Sequence, residues 1–307
     1  VVAVALILIT LPLVYVQRLL LRNSRRYAAV GGKGARATPL RLGPTGQVVA
    51  WSLIALWLIV SVAMPIGGIT VRAFVDAWGE GVRLRDHLTL AHFAHVLDTP
   101  SLFRGIVNTL LLAVIGGAFA VAIYLAVGLA GHRNKGPSGA LLDYMVLLPR
   151  ALPGIIIGLA FFWVFLFVPF LTPLRPTLVS LFVAYTVVGL SYGLRIIQAT
   201  LLQVAPELEE SSRTTGASQM RTWRDTVIPI IRPGLVGAWS LIMIVFLREY
   251  ATGVYLMGVG TEVVGTLMVS LLTSGSMDQI AALAFLSIIF TALGLGFALR
   301  LGARIHD

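Results

Sequence analysis

Three histidines, His87, His92 and His95, are the side chains in this sequence best suited to hold a metal. His92 and His95 stand three apart and could share a helical face. No clear acidic or tyrosine cluster stands beside them, so no metal site is assigned. Lysine occurs only at Lys33 and Lys135, and neither lies in a Gly-x-x-x-x-Gly-Lys-Ser/Thr loop, so the chain lacks that means of cradling a nucleotide phosphate. Cysteine is absent, which removes thiol chemistry and thiolate metal sites. No nucleophile–base arrangement and no paired catalytic carboxylates stand out. The sequence implies no cofactor and no enzyme activity of its own.

The remaining reactive groups are charges inside apolar stretches: Asp143, Arg150, Arg195, Arg248 and Glu249. Ionisable groups in a bilayer cost about 2.5–3.5 kcal/mol each on insertion scales, so they face protein or water. Arg150 lies between two prolines, where a broken helix can line a cavity. Arg248 and Glu249 are adjacent and point about 100° apart on a helix. They read either as part of a translocation path or outer gate, or as an interhelical salt bridge. Asp143 and Arg195 read as snorkelling to a nearby surface.

The elements that position these groups follow from composition. Hydrophobic residues make up 58% of the 307 and charged ones 12%, with mean hydropathy +0.92. A soluble domain carries roughly a quarter charged residues. The apolar residues cluster in blocks of about 20, long enough to cross a bilayer as helices. Lipid offers no partner to a free backbone group, so helices are expected. The pattern predicts spans over Val48–Ile69, Ile106–Leu129, Leu141–Val168, Thr177–Ile197, Pro233–Tyr255 and Gln279–Leu299. The span over Leu141–Val168 is interrupted by Pro149 and Pro153-Gly154, and Gly258–Asp278 reads as a polar loop. Residues 1–21 read as the end of a preceding membrane helix, and 22–47 as a basic linker. The fold class is therefore all-α: a polytopic transmembrane bundle with a six-helix core and one partial leading helix.

The formal charge is +10. No aromatic-interleaved basic patch points to nucleic acid. Sorting Lys and Arg by side gives fifteen in the linker, the loop with Arg133 and Lys135, the 198–232 loop and the C-terminus, against five on the other side. The richer side is the cytoplasmic one.

Residues 206–233 read PELEESSRTTGASQMRTWRDTVIPIIRP. Pro206 suits a first helical position. Glu207, Glu209 and Glu210 meet the positive end of the helix dipole. Gly216 can take the left-handed conformation that ends a helix. Ala217–Val227 can form a second short helix, with Pro229 and Pro233 marking re-entry into the membrane. Such a helix–turn–helix reads either as a solvated connection or as a rigid peg that feels the motion of a soluble partner.

This segment resembles the EAA loop of ATP-binding-cassette importer permeases. That loop has Glu-Ala-Ala, three residues, Gly, then nine residues before Ile-x-Leu-Pro. Glu210, Gly216 and Pro229 hold the Glu, Gly and Pro places; Ser211 and Ser212 replace the alanines, and Thr226 and Ile228 replace Ile and Leu. The resemblance implies that Glu210, Ser211, Ser212, Arg213, Thr214, Thr215, Gly216 and Ala217, with Pro229 behind them, couple the chain to a separate ATPase subunit dimer. It also implies a second permease half, a solute-binding protein and a bacterial inner membrane, with the C-terminus cytoplasmic. Asn108-Thr109, Leu148-Pro-Arg-Ala-Leu-Pro-Gly154 and Arg248-Glu-Tyr-Ala-Thr252 look like the ferric-iron subgroup, where two halves are often fused. By that resemblance 48–307 is a second half, the 70–104 segment meets the binding protein, and the solute is ferric iron. Similar sequences serve polyamine, phosphonate and thiamine import. An ion-coupled secondary transporter, with Glu249 as its mid-membrane carboxylate, and a membrane scaffold without transport are the competing classes.

Overall fold

Proline opens three of the helices in this chain, at Pro44, Pro100 and Pro206. Its missing N–H costs nothing in the first turn, and its fixed φ already suits a helix. The structure is a computed structural model and describes residues 43–132, 136, 145, 146 and 148–306. The expected helix end at 1–21, the linker up to residue 42, Arg133, Lys135 and Asp143 lie outside the described residues. The chain divides into two compact units, Val1–Thr89 and Leu90–Asp307.

In the first unit α1 runs Pro44–Ala73. Its turn widens to π geometry over Ile59–Ala63, just ahead of Pro65. Pro65 has no N–H to give the Ser61 carbonyl, and a wider turn makes room for its ring. Beyond α1 an isolated antiparallel bridge joins Val75 to Leu88.

The second unit is built from α2 (Ala91–Asp98), α3 (Pro100–Gly131), α4 (Gly154–Phe167), α5 (Leu178–Leu201), α6 (Pro206–Thr214), α7 (Gln219–Arg248), α8 (Val264–Thr273) and α9 (Met277–His306). Helix α7 packs against α5, α9 and α3, and α3 against α5. Tyr124, Tyr185, Leu194, Ile197, Ile242 and Phe246 are buried where α3, α5 and α7 meet. The approach of α3 to α5 depends on Gly189 and Gly193. A Cβ on Gly193 would fall 2.4 Å from the Tyr124 ring, and one on Gly189 2.7 Å from its hydroxyl. Small residues one turn apart let membrane helices meet closely. The Tyr124 hydroxyl donates to the Thr186 carbonyl. A second cluster, with Val96, Leu102, Ile106, Val264, Leu267 and Leu283, joins α2, α3, α8 and α9.

The molecule is an all-α polytopic bundle, and many large apolar side chains lie on its surface. Phe119 on α3 and Phe297 on α9 are among the large side chains left exposed. Helices α1, α3, α5 and α7 and the stretch Met277–Phe297 of α9 are long and apolar enough to cross a membrane. The span expected over 141–168 is not continuous: a helical turn at 148–151 stops at Leu152-Pro153, and α4 begins at Gly154. Fourteen residues reach only about 21 Å, short of a bilayer core of about 30 Å.

Two other expectations are corrected. Helix α7 does not begin at Pro233; it starts at Gln219 and passes both prolines to Arg248. A π turn over Trp223–Val227 widens the helix immediately before Pro229 and takes up the missing donor. The stretch 258–278 is not all loop, because α8 lies inside it. Leu267 on α8 packs among the apolar side chains of α3 and α9, which offsets the glycines and serines that made the stretch read as polar.

Candidate coupling site and the charges of the spans

Helix α6 is short and polar, and nothing in its own sequence would hold it against the bundle. Nine residues are marginal as an isolated helix, so its position rests on tertiary contacts. Two polar ties among the described residues contribute to them. Glu209 Oε1 accepts from His132 Nε2 at 2.9 Å, and their side chains are 15% and 6% exposed. Ser212 and Thr222 share a hydroxyl–hydroxyl bond of 3.1 Å, which fastens α6 to the first turn of α7.

The turn itself is determined locally. Gly216 has φ +88°, the left-handed region, and a side chain there would meet no neighbour, so only the backbone asks for glycine. Its N–H reaches the Arg213 carbonyl at 3.0 Å, and the Ala217 N–H reaches Ser212 at 3.3 Å. These bonds satisfy carbonyls that the helix end leaves over. Ser218 then caps α7 by accepting from the Arg221 N–H at 3.4 Å.

The sequence-predicted residues therefore sort by face. Glu210, Ser211, Arg213, Thr214, Thr215 and Gly216 are exposed together on one turn, whereas Ser212 and Ala217 are half-buried. Pro229 is not part of this surface; it lies three turns into α7, half-buried. Arg221 and Asp225 form an exposed i, i+4 pair at 3.4 Å beside the turn. Sequence does not single out His132, because nothing in a linear reading brings it to Glu209, 77 positions away.

The opposite end of α3 carries a different arrangement. Asn108 donates through Nδ2 to the carbonyls of Gly260, at 3.1 Å, and Glu262, at 2.9 Å. The Thr109 hydroxyl accepts from the Val264 N–H at 2.8 Å. Arg104 Nη2 lies 3.0 Å from Glu262 Oε1. Burial by itself would raise the Glu262 pKa. Hydrogen bonds from Arg104 and from the backbone of Glu262 and Gly260, with the Arg104 charge, outweigh burial and hold this carboxyl below its ordinary value. Together these bonds pin the 258–264 loop to the first turns of α3. Asn108 and Thr109 are the signal that sequence offered, two polar residues at the mouth of an apolar run.

The charges expected to face a path are dispersed. Arg150 lies 5.7 Å from the centre of the Tyr192 ring, a cation–π contact. Arg248 is exposed and lines a cleft of about 390 Å³ with Leu247, Tyr250, Val264, Met268 and Leu272. Among the described residues no salt bridge joins it to Glu249. Glu249 Oε1 instead accepts from the Thr252 N–H at 2.9 Å, and the Glu249 carbonyl accepts from the Tyr185 hydroxyl at 3.0 Å. The Glu249 carboxylate thus closes the turn after α7. Arg195 is exposed near the end of α5. Of the histidines, His87 pairs with Asp76 at 2.9 Å, and His95 meets the Thr99 hydroxyl at 3.4 Å.

Known proteins resemble this chain in sequence and fold. The chain is 26% identical over 215 residues to the sulfate transport system permease protein CysT of Salmonella typhimurium, covering 67% of this chain and 77% of that one. It is 21% identical over 292 residues to the ferric transport system permease protein FbpB of Actinobacillus pleuropneumoniae, covering 94% of this chain but only 41% of that one. The fold matches a chain of a bacterial ABC transporter involved in the import of the acidic polysaccharide alginate. The TM-score is 0.66 at 16% identity, over 85% of this chain and 97% of that one. Residues 118–307, which hold the α6 turn and both of its ties, match the model of one family, and the chain belongs to it: the binding-protein-dependent transport system inner membrane components.

Proposed function

We propose that the chain is a translocation subunit of an ATP-driven importer, and that the turn from α6 through Gly216 into α7 is where a separate ATPase dimer acts on it. The observation that carries this is the contrast between the two sides of that turn. Glu210, Ser211, Arg213, Thr214, Thr215 and Gly216 are exposed, while Glu209 and Ser212 are fastened to α3 and α7. A polar peg with a free outer face and an anchored inner face can pass on a push. A solvated connection needs no such anchorage.

The Lys and Arg asymmetry supports putting this turn, the 22–47 linker and the C-terminus on the cytoplasmic side of a bacterial inner membrane. ATP binding closes the ATPase dimer, the turn moves, and the helices pass from inward-open to outward-open. A solute-binding protein then releases solute on the other side. Such a path takes two permease halves. The much greater length of the ferric relative supports a fused arrangement, with 48–307 as one half. Arg150 and Arg248 are proposed to line the path, and Glu249 to brace the turn beside it.

The solute we propose is ferric iron, on the match of the ferric relative to nearly the whole chain. Sulfate is the second reading, favoured by the higher identity of the sulfate relative. Uptake of labelled ferric iron and labelled sulfate into vesicles holding the assembled transporter separates them. Glu210→Lys and Gly216→Pro are expected to insert normally yet lose uptake. Normal uptake and normal solute-stimulated ATP hydrolysis in both variants would overturn the coupling assignment.

A further inference from the structure

We propose that α3 is a rod joining the α6 turn to the 258–264 loop at the far end of the bundle, and that His132 is the positioning residue that engages it. The inference rests on the coupling reading above and adds the route by which displacement leaves α6.

Helices α5 and α7 flank α6 in the chain and are joined to it covalently. Helix α3 is not; whatever α3 feels of α6 must cross non-covalent contacts. His132 follows α3 directly, and its ring is nearly buried against Glu209, one position before the exposed Glu210. A hydrogen bond from an imidazole N–H to a carboxylate, shielded from water, is directional and stronger than a neutral one. It ties the end of α3 to the middle of the peg.

The rod holds its load at its other end through Arg104, Asn108 and Thr109. Arg104 and Asn108 stand at i and i+4, on one face, with Thr109 next to Asn108, and the three reach Gly260, Glu262 and Val264. Between the two ends the 32 residues of α3 span about 48 Å at the usual rise. The weak point of such a rod is the π turn over Leu112–Gly116. That turn is braced: Leu112 and Ala113 are buried, and the Trp239 indole N–H donates to the Val114 carbonyl at 3.0 Å. Nearer the α6 end, Tyr124 is fixed by its bond to Thr186 and by the contact of its ring with the Gly189/Gly193 face. A rod braced at the middle and gripped at both ends moves as one piece.

The test uses the assembled transporter in vesicles, with a fluorophore on a single cysteine replacing Val259. The 307 residues contain no cysteine, and Val259 is 94% exposed in the clamped loop. Addition of ATP is expected to change the Val259 signal. His132→Ala is expected to remove most of that change and to lower solute moved per ATP by about tenfold, the scale of one shielded hydrogen bond to a charged group. Basal hydrolysis should stay within about twofold, since the ATPase contact residues are untouched. His132→Gln can still offer an amide N–H to Glu209 and is expected to restore part of both signals. The His132→Ala/Glu209→Ala double variant should be no worse than Glu209→Ala alone, because the bond to His132 is already lost there.

A wild-type Val259 response and wild-type transport per ATP in His132→Ala would overturn the proposal. If His132→Ala does not accumulate in the membrane, Glu209→Ala, which removes the acceptor, is measured with the same two readouts, and wild-type values there overturn the proposal equally. Gly216→Pro separates the rod from the coupling reading beneath it. A Val259 response that survives Gly216→Pro defeats the coupling reading itself. A response lost in Gly216→Pro but kept in His132→Ala defeats only the rod.

Discussion

At the α6 end of the second unit the polar groups point outward, while at the far end of α3 they are spent on one another. Around Gly216 six of the predicted contact residues are exposed, and two side-chain ties hold the turn in place. Around Glu262 the side chains of Arg104, Asn108, Thr109 and Glu262 all have partners inside the protein, and Asn108, Thr109 and Glu262 are buried. The difference separates two uses of polarity in a membrane protein. Groups with internal partners hold the fold. Groups left facing water beside an anchored backbone are available to another molecule. Substitutions should therefore cost stability at the clamp and transport at the turn.

The largest loss of stability is expected from Asn108→Leu. It removes two hydrogen bonds and leaves the Glu262 carbonyl short of a partner in a buried place, and the Gly260 carbonyl in a partly buried one. Unsatisfied buried groups cost about 1–3 kcal/mol each, so a loss of about 3 kcal/mol is expected in thermal unfolding of the detergent-solubilised protein. No loss would show that water replaces Asn108 and that the clamp is not internal at all. Gly193→Ala comes next. The added methyl meets a Tyr124 ring held between α3 and α5, and overpacking of this kind costs about 1–3 kcal/mol. Gly193→Ser should behave alike, since volume rather than polarity is the problem.

How much of this was legible in the sequence follows the same division. The turn is a local object. Pro206, the early glutamates and Gly216 each act within four residues, so spacing foretold a helix, a turn and a second helix there. The spans were legible for the same reason, since hydropathy is a property of a window. The clamp joins residues more than 150 positions apart, and no local rule pairs Arg104 with Glu262. Asn108 and Thr109 announced only that something polar must meet them. His132–Glu209 was hidden in the same way. The misplaced start of α7 has another cause. Pro229 and Pro233 break a regular α-helix, and a linear reading stops there. The π turn before Pro229 lets the helix continue, and that choice belongs to the packing of Val227 and Ile231 in the core.

Smaller effects sharpen the comparison. Gly216→Ala meets no steric neighbour, so its cost is the left-handed backbone alone, about 1 kcal/mol. Its effect on uptake should exceed what that loss explains, because the exposed turn is re-aimed. Acidification offers a reading of the clamp. The Glu262 pKa is lower folded than its ordinary value of 4.5, so its contribution is complete above about pH 4.5 and is lost as pH falls through the lower folded value. Thermal unfolding of the native protein should weaken over that window, and Glu262→Gln should flatten the change.

The smallest expected effect on stability is the most informative about the turn. Glu210 is exposed, and among the described residues no hydrogen bond or ion pair depends on its carboxylate. Glu210→Gln should therefore leave the unfolding temperature unchanged, within the roughly 0.5 kcal/mol typical of surface substitutions. Its neighbour offers the matched control. Glu209→Gln weakens the shielded bond to His132 and should lower stability measurably, although the two residues are adjacent on one short helix. If Glu210→Gln destabilised the protein as much as Glu209→Gln, the outer face of α6 would be part of the fold rather than a surface held ready for a partner. The distinction between the two ends of α3 would then disappear.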